Sequence, residues 1–418
     1  MGITAEEWRE WILSGIGLLG GETLPIADAH GRTLAEEVRA RHDLPLWNSS
    51  AMDGYALRSA DVAQASSDAP VSLAVIGEVL AGSEENPPIP PCAAVRIMTG
   101  APVPDEADAV VPVERTRGDR PDSPWARSAV RLPEPVAAGA NIRLRGEDTP
   151  AGAVIAERGD ALTAARQSAL AAAGVADVRV SASPRVAVVV TGAELGDPGT
   201  GLARGRISES NSVLIAGMLR ECGLEPVAVR RCGDDAAAVS ALLGELSADC
   251  DAIVSTGGIG PGSHDAMRIA LETEPGVRQA RVAVRPGQPQ CSGRLASGPW
   301  MFALPGNPVA AAVSFELFVR PALLAMQGRR EILRRRIAAV AGVAWRGAPD
   351  RLQVLPVTVS RRGSAESDGR PACRPAVDPR GVAHSVGGHG ATQGYAIVGP
   401  ERGDVAEGEP VDVMLVEP

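Results

Sequence analysis

The segment Ser255-Thr-Gly-Gly-Ile-Gly-Pro-Gly-Ser-His-Asp265 follows the apolar run Ala252-Ile-Val254 and precedes Ala266-Met-Arg-Ile-Ala-Leu271. Glycines in such a turn permit positive φ and let bare backbone approach a phosphate or oxyanion. Neither standard nucleotide motif is present. A G-x-G-x-x-G count from Gly258 reaches Ser263 at its sixth position. The G-x-x-x-x-G spacing from Gly257 to Gly262 is followed by Ser263-His264, where a P-loop needs Lys and then Ser or Thr. By itself the loop fits an anion cradle or a plain strand-to-helix turn. Acids recur in equivalent places: Glu194 and Asp197 after Val186–Val190, Asp234 and Asp235 after Pro226–Arg230, and Asp265 at the end of the glycine loop. Gathered on one rim, such carboxylates can hold Mg²⁺, which takes a few carboxylates, water and substrate phosphate oxygens. Asp234, Asp235 and Asp265 also suit helix N-caps. Asn307-Pro308 reads as an N-cap followed by an N1 proline, and Pro305-Gly306 before it brings bare backbone to the same rim.

Two further segments carry polar groups of interest. Asn48-Ser-Ser-Ala-Met-Asp53-Gly-Tyr55-Ala sets an acid beside glycine and one of only two tyrosines, with a simple turn as the competing reading. Arg96-Ile-Met-Thr99-Gly100 offers a guanidinium and a hydroxyl to an anion. His264, His384 and His389 are expected as surface or packing residues rather than catalysts. The six cysteines contain no C-x-x-C pair and only five histidines accompany them, so buried free thiols are expected instead of a zinc cage.

Composition excludes other classes. The net charge is −10, which disfavours nucleic acid or an anionic membrane as partner, and an aromatic content of 3% leaves few stacking platforms for bases. All 41 basic residues are Arg, so an arginine here carries little information about a change of role. The acidic start Met1-Gly-Ile-Thr-Ala-Glu-Glu-Trp8 is unlike a signal peptide, and no apolar run approaches the ~20 residues of a membrane helix. A cytoplasmic location is expected.

A chain of 418 residues exceeds what one core usually supports. Residues 4–20 have helical spacing and are expected to continue through 23–45 as a helical lead-in. Thr163–Gly174 predicts a helix, capped by Gly174, that packs back on it. Residues 1–45 with 141–183 are thus the expected helical linker domain. Short Val-rich pieces broken by Asn86-Pro-Pro-Ile-Pro-Pro91 and Pro102-Val-Pro104 make 46–140 a small β-rich domain. Over 184–328, strands at Val186–Val190, Pro226–Arg230, Ala252–Val254, Arg281–Arg285 and Met301–Leu304 take turns with helices over 213–222, 239–246, 266–272 and from Pro308 onward. That alternation predicts a doubly wound, mostly parallel α/β domain, whose ligands settle outside the carboxyl ends of its strands. Arg329–Arg336 leads into a C-terminal β domain, 329–418. The fold class is α/β multidomain: the doubly wound domain, two small β-rich domains and a helical linker domain.

Taken in order, Asn48–Ala56, Arg96-Ile-Met-Thr-Gly-Ala-Pro-Val-Pro104, Gly146-Glu-Asp148, Thr191-Gly-Ala-Glu-Leu195, Ser210-Asn211-Ser212 and Leu304-Pro-Gly-Asn-Pro308 resemble the motifs of the molybdopterin molybdenumtransferase family. The resemblance runs from about residue 5 to 328 and more weakly beyond. It implies an enzyme that inserts molybdate into adenylylated molybdopterin with Mg²⁺ and releases AMP, and an elongated homodimer of four domains. It implies functional acids at Asp53, Asp148, Glu194, Asp234 and Asp265, with the metal at Glu194, Asp234 and Asp265. Substrate binding would fall to Thr99, Gly257, Gly258, Gly260, Ser263, Arg285, Pro305, Gly306, Asn307 and Pro308. The Asp53 segment of one chain is expected to face the α/β rim of the other, and the molybdopterin adenylyltransferase is the expected protein partner. Three positions depart from the family pattern: Gly260 stands in place of a serine, Gln288 in place of a lysine, and Gly387-Gly388 in place of paired serines beside His384. Two alternatives accompany the transferase reading. One is an altered paralogue acting as a cofactor carrier or assembly scaffold, and the other is a nucleotide-pyrophosphate hydrolase of related fold.

Overall fold

Alternate residues of three apolar strands face opposite ways, and this alternation builds the central layer. Val186, Val188, Val254 and Phe302 join one core cluster, while Ala187, Val189, Ile253 and Met301 join another across the sheet. Strands buried on both faces need continuous apolar sequence and helical cover on each side. The computed structural model describes residues 2–119, 125–201, 203–262, 265–360 and 369–416. In it the strands lie in the order Ala228–Cys232, Val186–Thr191, Ala252–Thr256, Trp300–Leu304, Pro289–Arg294 and Val277–Arg281. The first four pair in parallel, and the last two join through antiparallel pairings. Helices Asn211–Glu221 and Pro308–Ser314 cover one face, together with the N-terminal helix Ala5–Gly15 through Trp8 and Ile12. Helices Ala236–Ser247 and Ala266–Leu271 cover the other.

Against the expectation that no apolar run approaches membrane-helix length, the apolar helix continues from Pro308 to Met326, 19 residues that are long and apolar enough to cross a membrane by composition alone. Its apolar window is 89% buried in the protein core, which explains the composition. Five residues, Phe315–Val319, form wider π turns just before Pro321, whose ring cannot sit over the carbonyl four residues earlier in an ordinary helix.

Two expectations need correction. The strand placed at Arg281–Arg285 ends at Arg281. After a turn, Val284–Arg285 pairs instead with Leu352 and Gln353 of the C-terminal domain. Residues 23–45 do not extend a helix: the N-terminal helix stops at Gly15, and Gly21–Pro25 forms a ribbon with Asp177–Ser181. The glycines at 15, 17, 20 and 21 and the proline at 25 oppose a continuous helix. The linker unit therefore contains two short ribbons and the helix Ala164–Ala172, which packs as expected on Leu24, Ile26 and Leu34.

The 46–140 region folds as the sheet Ala109–Pro112, Gly54–Leu57, Ala93–Ile97, Val71–Val79, Ala129–Leu132, in that order. The C-terminal region is a closed barrel, because Leu352–Ser360 pairs with both Ala372–Pro375 and Gly394–Val398. Tyr395, Ile397 and Met414 of the barrel share a core with Phe315, Phe318 and Val319. Beside them the buried Glu316 carboxylate takes two hydrogen bonds, each 3.0 Å, from the Arg334 guanidinium. This paired geometry is what makes a charge tolerable at that depth.

Candidate active site

The four parallel strands release their chains on one edge, and the loops that follow enclose a cleft of about 530 Å³. Its form begins with glycine. Gly257 has φ +92° and Gly258 φ +65°, and a Cβ on Gly257 would lie 2.4 Å from the Thr191 carbonyl oxygen. No other residue meets both conditions, so the glycine turn is dictated by its close approach to the neighbouring strand. Gly306 approaches from the next strand end, where an added Cβ would be 3.3 Å from the Gly257 Cα.

Four acids line this cleft, Glu194, Glu209, Asp234 and Asp265. Asp234 accepts a hydrogen bond from the Ala193 N–H at 2.9 Å and so fixes the loop that carries Glu194. The Arg206 guanidinium adds bonds of 2.7 Å to each of the Ala193 and Leu195 carbonyls on either side of Glu194. Asp265 precedes a helix but does not cap it; its Oδ1 accepts from the Gly260 N–H at 2.8 Å, bracing the glycine loop from inside. Arg268 braces the loop from outside by donating to the Gly260 and Gly262 carbonyls at 3.1 and 3.0 Å. Asp235 is the true cap, accepting from Ala237 and Ala238. Asp197 pairs with Arg231 at 2.9 Å.

Of the residues expected from sequence, the cleft brings together Glu194, Asp234, Asp265, Gly257, Gly258, Gly260, Pro305, Gly306, Asn307 and Pro308. Ser263 and His264 lie outside the described residues. Arg285 lines an adjoining cleft of about 240 Å³ with Arg380 and His384, and Pro289, Pro305 and Asn307 form the wall shared with the first. Asp53, Thr99 and Asp148 line neither cleft. Asp53 Oδ1 accepts from both the backbone N–H and the hydroxyl of Thr99, each at 2.7 Å, on the exposed surface of the β-rich domain. These bonds, the backbone one foremost, hold the Asp53 carboxyl below the usual aspartate range. Asp148 sits in an exposed turn whose N–H reaches the Leu44 carbonyl.

Among the described residues, no three of the His, Cys, Asp and Glu side chains come close enough to enclose a metal ion. Glu194, Asp234 and Asp265 share the cleft without forming the three-acid cage expected of them. Asp234 and Asp265 each give one carboxylate oxygen to a backbone N–H, which leaves the other oxygen free of hydrogen bonds among the described residues. The cysteines are free thiols, as expected; Cys250, Cys291 and Cys373 are buried, while Cys92 is exposed.

Sequence reasoning quoted Thr191 and Asn211 only within family motifs, without a role, and left out Glu209; all three line the cleft. Asn211 opens a helix and is 9% exposed, and its Nδ2 donates to Thr256 Oγ1 at 3.1 Å and to the Gly306 carbonyl at 2.7 Å. The available signal was the polar run Ser208-Glu-Ser-Asn-Ser212, placed immediately before a helix on the ligand-bearing edge.

Residues 3–174 match the family region described as "MoeA N-terminal region (domain I and II)", and residues 187–325 match the "Probable molybdopterin binding domain". Molybdopterin molybdenumtransferase 2 of Mycobacterium tuberculosis is 40% identical over 312 residues, covering 73% of this chain and 75% of the relative. The chain belongs to the molybdopterin molybdenumtransferase family. A molybdopterin molybdenumtransferase of Staphylococcus aureus is 34% identical over 311 residues, covering 74% of this chain and 72% of its own. The multidomain fold matches a solved molybdopterin biosynthesis MoeA protein from Pyrococcus horikoshii at a TM-score of 0.79 and 28% identity, covering 100% of both chains. A second solved structure of such a protein from the same organism superposes at 0.82 with 25% identity. The family's doubly wound domain and β-rich domains are those described above, and the cleft lies within the molybdopterin-binding region of this molybdenumtransferase family member.

Proposed function

We propose that this chain is a transferase of molybdenum cofactor biosynthesis that inserts molybdate into adenylylated molybdopterin and releases AMP. The observation that carries the proposal is the pairing of two contiguous clefts with different chemistry. The larger presents a glycine turn and four carboxylates, suited to a pyrophosphate and its counter-ion. The smaller presents Arg285, Arg380 and His384, suited to a separate oxyanion such as molybdate. Their common wall lets both substrates approach one point, so positioning and charge neutralisation are the main catalytic contributions. As molybdate forms two bonds to the dithiolene sulfurs, one of its oxygens leaves with the two thiol protons as water; a water molecule cleaves the phosphoanhydride P–O bond, its hydroxyl ending on one phosphate and its proton on the other, and AMP departs.

Mg²⁺ belongs to the proposal in a reduced form. The separated acids do not fit a cation held by all three. They do fit the commoner Mg²⁺ arrangement of one or two carboxylates completed by water and phosphate oxygens, with Glu194 and Asp234 as its protein ligands. When bound it would supply neutralisation of the pyrophosphate charge.

The exposed Asp53–Thr99 pair and Asp148 enter the same reading through a homodimer, in which the β-rich domain of one copy closes over the rim of the other. The molybdopterin adenylyltransferase is the proposed supplier of substrate, and the cytoplasm the proposed location. Purified protein supplied with adenylylated molybdopterin, molybdate and Mg²⁺ is expected to release AMP and yield active cofactor. Tight binding without AMP release would favour the carrier. AMP release indifferent to molybdate would favour a hydrolase.

A further inference from the structure

The Asn211 side chain does something other than start its helix. The helix needs no help from it: Ser210 occupies the N-cap position, and the Ser212 N–H is taken by Glu209 Oε1 at 2.8 Å, with the Ser212 hydroxyl on the other oxygen of the same carboxylate. Asparagine is a poor helix former, and burying its amide is costly without partners. The amide hydrogens instead point away from the helix, toward the ends of two different strands. One reaches Thr256 Oγ1, the residue directly before the glycine turn, and the other reaches the Gly306 carbonyl in the Pro305–Asn307 turn. Asn211 Oδ1 is buried with no hydrogen-bond partner among the described residues. Turning the amide over would bring that oxygen against the Gly306 carbonyl oxygen, so the two donor bonds fix its orientation.

The tie continues across the sheet. Thr191 Oγ1 donates to the Thr256 carbonyl at 3.3 Å, and the Gly257 N–H donates to the Leu304 carbonyl at 3.0 Å. The ends of the strands Val186–Thr191, Ala252–Thr256 and Trp300–Leu304 are therefore linked edge to edge, with the Asn211 side chain bonded both to the residue before the glycine turn and to Gly306 of the other turn facing the cleft. We infer that Asn211 is a positioning residue: it sets the spacing of the Gly257–Gly258 and Pro305–Gly306 turns, and through them the backbone surface that receives the anionic part of the substrate. This role rests on the function proposed above but is tested partly apart from it.

The experiment compares wild type with Asn211→Ala, Thr256→Val and the double variant. In Asn211→Ala, amide hydrogen exchange is expected to accelerate at 256–260 and 304–308 while the rest of the sheet keeps wild-type rates. AMP release should fall about 100-fold in kcat, the size of loss that small misplacement causes, with the KM for molybdate much less affected, because Arg285 and Arg380 lie outside both turns. Thr256→Val removes only one acceptor and should cost less, and the double variant should lose less than the product of the single losses, since both act through one tie. Unchanged exchange at the two turns, exchange accelerated over the whole domain, or a kcat within threefold of wild type would each overturn the role. A wild-type protein that releases no AMP would refute the proposed function. The exchange pattern would still decide the role of Asn211.

Discussion

The α/β rim and the β-rich domain each carry acids of the expected set, and they hold them differently. On the rim, Asp234 and Asp265 brace the loops they line, Arg206 and Arg268 grip those loops by their carbonyls, and the side chains converge on one cleft. On the β-rich domain, Asp53 is equally well fixed by Thr99 but lines neither of the two clefts described above. Ordered geometry is present in both, and the cleft built by the rim loops in only one. In the homodimer proposed above, the walls around Asp53 would come from the rim of the partner.

The sharpest way to break this comparison is to cripple each region separately. Asp265→Ala and Asp53→Ala are each expected to lower AMP release by at least about 100-fold, since each misplaces groups at the reacting centre. If the two regions meet across a homodimer, mixing and re-equilibrating the two inactive variants restores about one quarter of wild-type activity: half the dimers are mixed, with one of two sites intact. No recovery would mean that each chain works with its own residues alone. A smaller effect is expected from Gly257→Ala. The strained φ alone costs about 1–3 kcal/mol, the contact with Thr191 adds to it, and a thermal melt should show the loss directly. Arg285→Ala should raise the KM for molybdate about tenfold through loss of one charge-assisted contact, with AMP release at saturating molybdate less affected. An equal loss at all molybdate concentrations would place Arg285 outside the oxyanion site.

The smallest effect sharpens the other side of the comparison. Because the Thr99 bonds lower the Asp53 value in the folded protein, they favour the ionised form. Their contribution is present above the unfolded aspartate range and is lost as pH falls through the lowered folded value. Thr99→Val removes the hydroxyl but leaves the backbone N–H, so an NMR titration should find the Asp53 midpoint raised yet still below the ordinary range. A midpoint that does not move would show the hydroxyl to be a bystander.

The legibility of the sequence follows the same division. Strands buried on both faces announce themselves, and Val186–Thr191, Ala252–Thr256 and Trp300–Leu304 lie where the apolar runs predict. Pro289–Arg294 does not, because its buried positions are Gln, Cys, Ser and Gly, chosen for close packing and hydrogen bonding. There Gly293 has its added Cβ position only 2.1 Å from the Gly276 carbonyl oxygen. Rim acids were legible from their place after strands. Their division of labour was not: nothing in Asp234-Asp235 tells which residue caps the helix and which faces the cleft until the Ala193 N–H is seen beside the first. Asn211 stood in a quoted motif, but its role escaped because its partners are a hydroxyl and a carbonyl 45 and 95 residues away, a relation that local periodicity does not encode.

The pairing of Val284–Arg285 with Leu352–Gln353 has a consequence for how this protein can diverge. Arg285 lies beyond the rim loops, while Arg380 and His384 come from the barrel, past the end of the molybdopterin-binding region at residue 325. The smaller cleft is thus a seam between two independently mutable parts of the gene. Under the function proposed above, a change in the barrel would alter which oxyanion is admitted while the glycine turn and its acids stay as they are.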